Sequence, residues 1–146
     1  MQVKNIVLTS DHAGFDLKQK IAKELSKNYQ VTVLGATNAQ ELRDFPLIAR
    51  EAAPLIKNPE TFGIFICGTG VGMSMQSNRY PFIRAAVVYT EEQAMLARQH
   101  TDANVLCLGA RLTDDKTALA CVRTFLSTEC AGGRYTRRVK QLGEPV

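Results

Sequence analysis

Residues 62–72 read Phe-Gly-Ile-Phe-Ile-Cys-Gly-Thr-Gly-Val-Gly, so an apolar run ends in a single thiol, Cys67, and opens into a glycine-rich turn. A short apolar run of this kind is typical of a buried strand. Gly68, Gly70 and Gly72 allow backbone N–H groups to point at an anion without obstruction by Cβ, and a following helix N-terminus would add partial positive charge. Such surroundings favour the thiolate form of cysteine. The segment predicts a reactive site; taken alone, it also fits a tight turn with a buried cysteine.

Four more β-type runs flank this segment, and helical patterns separate them. In one helical stretch, apolar residues recur at Leu17, Ile21 and Leu25. Strands that alternate with helices are the pattern of βαβ units. The sequence therefore predicts an α/β fold, a doubly wound parallel sheet with helices on both faces and five strands at residues 3–9, 31–35, 62–67, 83–89 and 104–109. A chain of 146 residues is expected to form one domain, residues 1–146.

The composition argues against several classes of protein. No apolar stretch approaches the roughly 18 residues that a membrane span requires, and the first residues lack the pattern of a signal peptide. We therefore expect a cytoplasmic protein that does not act at a membrane. The 4 cysteines form no Cys-x-x-Cys pair and the chain has only 2 histidines, so neither a disulfide framework nor a structural metal site is expected.

Basic residues concentrate near the end of the chain. Much of the net charge of +4 comes from Arg134, Arg137, Arg138 and Lys140. No stripe of interleaved aromatic residues and no helix-turn-helix spacing accompanies them, so a small phosphorylated ligand explains the cluster with fewer assumptions than a nucleic acid does. A solvated basic face is the other interpretation.

Polar residues follow the predicted strands at their carboxyl ends, where open parallel sheets bind ligands. Asp11 and His12 follow the first strand, Cys67 ends the third, and Arg111 follows the fifth. His100 precedes the fifth strand, so it lies at the opposite edge and fits better in the site of a neighbouring subunit across a dimer interface. Each of these residues, taken singly, also has a structural interpretation: Asp11 as a helix cap, or His100 near a helix C-terminus.

The spacing of residues excludes one known function of such a segment, a phosphatase loop, and argues against another, a dinucleotide-binding site. A low-molecular-weight tyrosine phosphatase loop needs an arginine six residues after the nucleophile, and Met73 stands at that position. A dinucleotide-binding fingerprint needs a glycine cluster after the first strand, where this chain has Asp11-His12-Ala13-Gly14.

The sequence resembles the ribose-5-phosphate isomerase B family, which also includes galactose-6-phosphate isomerase subunits. The resemblance covers essentially the whole chain and rests on a combination of motifs at residues 10–14, 67–74, 78–79, 83–85, 97–100, 102–106, 109–111 and 132–134. It implies a Rossmann-like, three-layer α/β/α fold with a C-terminal tail helix. It also implies an aldose–ketose isomerase that needs no metal or cofactor, acts on a phosphorylated sugar, and forms a homodimer or tetramer with active sites between two subunits.

The resemblance also implies a role for each matching residue. Cys67 is the base that moves a proton between two carbons through a cis-enediolate, and His100 opens the sugar ring. Thr69 completes the catalytic set and, like Asp11, contacts the sugar. Backbone N–H groups of the loop that contains Gly68, Gly70, Gly72 and Ser74 hold the developing oxyanion, and Thr101 stands where the family stabilises the enediolate. The phosphate-binding positions are His12, Arg111, Arg134 and Arg138.

Two positions depart from the family pattern. Many relatives have a tyrosine where this chain has Phe45, and an asparagine where it has Thr101. The lost phenol removes a hydroxyl contact to the sugar. D-ribose 5-phosphate is the expected substrate, with D-ribulose 5-phosphate as the product, and a tetrose, tetrulose or hexose phosphate is the alternative. A sugar-phosphate-binding module without catalysis and a flavodoxin-like electron carrier are hypotheses from other classes; a pure binder has no use for Cys67, and the chain lacks the tryptophan expected beside a flavin.

Overall fold

The computed structural model describes residues 2–146, which form a five-stranded parallel sheet and six α-helices. The strands lie in the order β2-β1-β3-β5-β4. Their bounds are β1 (Asn5–Ser10), β2 (Gln30–Gly35), β3 (Thr61–Cys67), β4 (Ala85–Val87) and β5 (Val105–Gly109). The helices are α1 (Phe15–Leu25), α2 (Phe45–Ala52), α3 (Val71–Ser77), α4 (Glu91–Thr101), α5 (Asp115–Ser127) and α6 (Arg134–Leu142).

Helices cover both faces of the sheet, as the sequence predicts for a doubly wound fold. One apolar cluster joins α1, α4 and α5 to the face of the sheet that carries Ile64 and Leu106. A second cluster joins α2 and α3 to the opposite face, which carries Phe65 and Cys67. Every residue of β3 is buried because this central strand is covered on both sides. The Rossmann-like α/β/α architecture is therefore confirmed, and the Cys67 side chain belongs to the α2/α3 face.

The fourth strand is shorter than the predicted run of residues 83–89. The side chain of Asn78 accepts a hydrogen bond from Ala85 N (2.7 Å) and donates one to Ala85 O (2.9 Å). Asn104 Oδ1 accepts from Arg84 N at 2.7 Å. The run pairs with β5 from Ala85 to Val87, and the side chains of Asn78 and Asn104 bind backbone groups where this strand begins.

The C-terminal helix α6 packs on α4 and contributes no buried residue to the core. This is the predicted tail helix. It is exposed and carries the basic residues near the end of the chain. Within residues 2–146, no helix is both long enough and apolar enough to cross a membrane.

Candidate active site

The structure divides the predicted site residues between the two edges of the sheet. One group lies where the strands end, and we call it the carboxyl-edge cluster: Asp11, His12, Cys67, Gly68, Thr69, Gly70, Gly72, Ser74 and Arg111. The other lies at the C-terminal end of α4 and on α6, and we call it the tail cluster: His100, Thr101, Arg134, Tyr135 and Arg138.

Cys67 occupies the last position of the central strand, where the chain turns into α3. Its side chain is almost fully buried, and its Sγ accepts a hydrogen bond from Gly70 N at 3.1 Å. Gly70 itself has a φ of +81°, a left-handed conformation that glycine adopts without strain. The first turn of α3 follows directly, so backbone N–H groups without helical partners face this end of the strand. The turn is built to hold negative charge next to a sulfur atom.

Two hydroxyl groups of the turn take part in local hydrogen bonds. Thr69 Oγ1 accepts from Val71 N at 3.2 Å, and Ser74 Oγ donates to Val71 O at 2.7 Å. Both bonds shape the start of α3. Thr69 Oγ1 retains its own proton for donation, because a hydroxyl donates and accepts at once.

The ends of the neighbouring strands close in on the same turn. Asp11 N donates to Ile66 O (3.2 Å), and the buried Asp11 carboxylate accepts from Gly14 N (3.2 Å), which caps the turn at residues 12–14. His12 is half-buried, and within residues 2–146 its buried Nδ1 atom has no hydrogen-bond partner. The imidazole therefore lies at the carboxyl edge of the sheet with its Nδ1 atom enclosed by the protein.

Arg111 reaches the Cys67 turn from the end of β5. Its backbone N donates to Gly68 O at 3.0 Å, and a Cβ built on Gly68 would lie 3.1 Å from Arg111 Nη1. The guanidinium group thus lies directly against the glycine turn. A positive group here, beside the N–H groups of the turn, suits the binding of an anion.

The aromatic ring of Phe45 lies against Gly72. A Cβ on Gly72 would overlap this ring, so the close approach requires glycine. Phe45 begins α2 and is 38% exposed, so its ring forms a wall of the turn rather than part of the core. Phe45 directly follows the irregular segment that ends at Asp44, and its side chain lies at the edge of the Cys67 turn.

The tail cluster is organised around Tyr135. Its ring stacks on His100 with ring centroids 4.4 Å apart and an angle of 7° between the planes. The guanidinium groups of Arg134 and Arg138 lie 5.0 and 5.6 Å from the Tyr135 ring centroid, and Arg134 Nη2 donates to the phenol oxygen at 3.0 Å. A shallow pocket of about 480 Å³ opens here, lined by His100, Thr101, Tyr135, Arg138, Gln141 and Leu142.

The backbone after His100 is held in an unusual conformation. Asp102 has a φ of +47° and ends α4; its carboxylate accepts from Arg98 Nη1 at 2.8 Å and from Arg84 Nη2 at 3.4 Å. Thr101 Oγ1 donates back into the helix, to Ala97 O at 2.5 Å. Asp102 and Thr101 therefore fix the end of the helix that carries His100.

A single chain does not bring the two clusters together. Helix α4 ends just before β5 begins, so His100 lies at the amino edge of the sheet, and Cys67 lies at the carboxyl edge. A strand rises about 3.3 Å per residue, so β5 alone separates the edges by roughly 16 Å. His100 and Cys67 of the same chain are too far apart to act on one pair of carbon atoms.

Two tyrosines of these clusters were not predicted from the sequence. Tyr135 stacks on His100 because α6 folds back on α4. Tyr89 follows β4, and its phenol reaches past the end of β5 to donate to Thr69 O (2.9 Å). The one available signal was an aromatic residue inside the basic segment that contains Arg134 and Arg138.

Comparisons with known proteins show the family to which the chain belongs. The sequence model of a family described as Ribose/Galactose Isomerase matches residues 6–142. A protein named probable ribose-5-phosphate isomerase B from Mycoplasma pneumoniae is 42% identical over 139 residues, which cover 94% of this chain and 91% of that protein.

Two solved structures are similar over nearly their whole length. Ribose 5-phosphate isomerase B from Anaplasma phagocytophilum has a TM-score of 0.93 at 38% identity, covering 97% of this chain and 98% of that one. Ribose-5-phosphate isomerase B from Mycoplasma genitalium, solved with bound ribulose-5-phosphate, has a TM-score of 0.92 at 39% identity, covering 97% and 95%. The chain belongs to the ribose/galactose isomerase family.

Proposed function

We propose that the protein is an aldose–ketose isomerase that interconverts D-ribose 5-phosphate and D-ribulose 5-phosphate. Membership of the ribose/galactose isomerase family and the relative from M. genitalium with bound ribulose-5-phosphate support the reaction class and the substrate. The observation that carries the chemistry is the buried thiol of Cys67, which receives the Gly70 N–H bond inside a glycine turn at the start of a helix. Such a turn stabilises both a thiolate and an oxyanion beside it.

In the proposed reaction, Cys67 acts as the base. The thiolate removes the proton from the carbon next to the carbonyl, and the electron pair moves to the carbonyl oxygen to give a cis-enediolate. Backbone N–H groups of residues 68–74 stabilise this oxyanion, and the Thr69 hydroxyl and the Asp11 carboxylate contact the sugar hydroxyls. A proton then passes from the hydroxyl oxygen of the neighbouring carbon to the former carbonyl oxygen, and the thiol returns its proton to the former carbonyl carbon. Both proton transfers are internal, so the reaction is a net isomerisation without an external oxidant.

A second copy of the chain supplies the ring-opening group. We propose a homodimer in which His100 and Thr101 of one subunit face Cys67 of the other. Exposed apolar side chains on α2, on α3 and in the segment before α2, elements next to the Cys67 turn, support an interface there: Leu42 is 80% exposed, Met75 69% and Leu47 51%. Because large exposed apolar patches mark contact surfaces, this edge is suited to bury itself against a partner.

Positive groups from both clusters bind the phosphate. His12 and Arg111 approach from the carboxyl edge, and Arg134 and Arg138 approach from the tail cluster of the second subunit. Guanidinium groups bind phosphate through paired, charge-assisted hydrogen bonds. A phosphorylated sugar does not cross membranes unaided, so we place the reaction in the cytoplasm.

A panel of four-, five- and six-carbon aldose and ketose phosphates tests the proposed substrate. We expect ribose 5-phosphate to give the highest kcat/KM. This comparison is necessary because the Phe45 ring, which packs against Gly72 and has no hydroxyl group, forms one wall of the turn. A higher kcat/KM for a tetrose or hexose phosphate would contradict the assignment of ribose 5-phosphate, and no turnover with any sugar phosphate would contradict the isomerase itself.

A further inference from the structure

A single peptide unit connects Tyr89 to Cys67. The phenol of Tyr89 donates to the carbonyl oxygen of Thr69 at 2.9 Å. The N–H of the same peptide unit belongs to Gly70, and it donates to Cys67 Sγ at 3.1 Å. Tyr89 and Cys67 are therefore the two hydrogen-bond partners of one amide, one on each side of it.

We propose that Tyr89 is a positioning residue that stabilises the thiolate of Cys67 through the Thr69–Gly70 peptide. The effect on the thiol stands on these two hydrogen bonds alone. Its consequence for turnover rests on the proposed function, in which Cys67 is the isomerisation base.

The planarity of the peptide unit makes the coupling direct. Because the amide is planar, a bond that fixes its carbonyl also fixes the direction of its N–H. The Thr69 carbonyl also packs against Gly109, and the Tyr89 phenol adds the side-chain hydrogen bond that fixes the direction of this carbonyl. If the peptide rotated away, the sulfur would lose its N–H donor.

A hydrogen bond to the carbonyl also strengthens the N–H as a donor. Bonds in a chain polarise one another, so a phenol on the carbonyl oxygen increases the positive charge on the amide hydrogen. A donor that binds the charged form of an acid favours ionisation. The chain of bonds from Tyr89 through the peptide to the sulfur thus acts on the thiolate more than on the neutral thiol.

The first turn of α4 holds Tyr89 in place. The backbone N of Tyr89 donates to Gln93 Oε1 at 2.7 Å, and the same oxygen accepts from Thr90 N at 3.2 Å. Thr90 Oγ1 accepts from Gln93 N at 3.1 Å, which completes a capping box. Tyr89 is half-buried, so its side chain does not move freely in solvent.

The substitution that tests the proposal leaves the charged and titratable neighbours of Cys67 unchanged. The neighbours at the ends of the adjacent strands are Asp11, His12 and Arg111. Cys107 lies within the adjacent strand β5, and Asp44 lies at the start of α2. Helix α3, which follows the turn, carries no charged residue. A change in the ionisation of Cys67 on loss of the Tyr89 hydroxyl is therefore caused by the hydrogen bond rather than by a lost charge.

The test compares alkylation of Cys67 in the parent protein and in Tyr89→Phe, followed by mass spectrometry of the Cys67 peptide as a function of pH. We expect the midpoint of the rate–pH curve to move up by about half a unit to one unit, the equivalent of one neutral hydrogen bond. At pH values below the midpoint, the rate should fall about three- to tenfold. Steric access alone would change the rate equally at every pH and would leave the midpoint in place.

The chain offers two controls. Cys130 is half-buried at the other edge of the sheet, where its Sγ contacts Gln99 O at 3.6 Å, so its alkylation midpoint in the same sample should not move. Tyr29→Phe removes a phenol at the amino edge and should leave the Cys67 curve unchanged. Melting curves of both variants, and a second substitution, Tyr89→Met, separate loss of the hydrogen bond from loss of the fold.

The outcomes separate this inference from the proposed function. An unchanged midpoint for Cys67 in folded Tyr89→Phe would overturn the role of Tyr89. A raised midpoint with a matching fall in kcat and a nearly constant KM supports both ideas. A raised midpoint with unchanged kcat supports the role of Tyr89 and contradicts Cys67 as the isomerisation base.

Discussion

Among the single residues, the two cysteines of the α2/α3 face have different environments. Cys107 is fully buried in β5, and burial, together with the nearby Cys67, raises the pKa of its thiol. It therefore remains a neutral thiol. Cys67 lies two residues further along the sheet, at the strand end, where the glycine turn supplies an N–H donor. Both residues are cysteines, but only the one at the strand end has surroundings that suit a base.

Replacement of Cys67 by alanine should lower kcat by about 10²-fold or more and leave KM nearly unchanged, because loss of a general base affects the chemical step. Steady-state kinetics with ribose 5-phosphate measure both constants. Cys107→Ala is the matched control, since it removes a thiol from the same face without touching the turn; it should retain turnover. Retained activity in Cys67→Ala would assign the proton transfer to another group.

Replacement of Arg138 or Arg134 by alanine should raise KM by about ten- to a hundredfold, because each loses a charge-assisted hydrogen bond worth about 1.5–3 kcal/mol. The control is Arg137, which points about 100° away from Arg138 around the helix and should tolerate alanine. Kinetics at several ionic strengths complete the measurement. Equal losses for all three arginines, with a strong salt dependence, would mean that net charge rather than a positioned pair attracts the substrate.

Among the structural elements, the turn between β3 and α3 depends on glycine at one position above all. Gly70→Ala should lower the free energy of unfolding by about 1–3 kcal/mol, because a side chain at φ +81° is strained and its Cβ would lie 3.0 Å from the carbonyl carbon of Leu108. Urea unfolding measures the loss.

Gly132→Ala separates strain from crowding. Gly132 also has a positive φ, +72°, but a Cβ there would meet only Thr136 Oγ1, at 4.0 Å. This variant should therefore lose less stability than Gly70→Ala, about 1 kcal/mol. Equal losses would mean that backbone conformation alone explains the glycine at residue 70.

The strands and the carboxyl-edge cluster could be predicted because local signals and sheet topology determine them. The apolar run before Cys67 is a strand, and the ends of parallel strands meet at one edge wherever the helices lie. The bounds of β4 could not be predicted, since the side chains of Asn78 and Asn104 bind the backbone where this strand begins, and residues 83–89 carry no signal of these bonds. The stack of Tyr135 on His100 depends on how α6 packs against α4, and no short-range pattern encodes that packing.

Across the whole molecule, the sheet separates the proposed base, Cys67, from the proposed ring-opening group, His100. The carboxyl-edge cluster has the thiol and two of the four predicted phosphate-binding groups, and the tail cluster has the imidazole and the other two. A two-fold interface pairs the same patch on both copies, so it can set the tail cluster of each subunit against the carboxyl edge of its partner. A complete site then requires two chains.

Mixing Cys67→Ala protein with His100→Ala protein distinguishes a site shared between two chains from a site within one chain. Each variant alone should be strongly impaired. After subunit exchange, half of the dimers contain one chain of each kind and one of their two sites is intact, so about a quarter of the parent activity should return. Native mass spectrometry verifies the exchange. If mixed dimers form and activity does not return, the active site is contained within one chain and the proposed shared site is wrong.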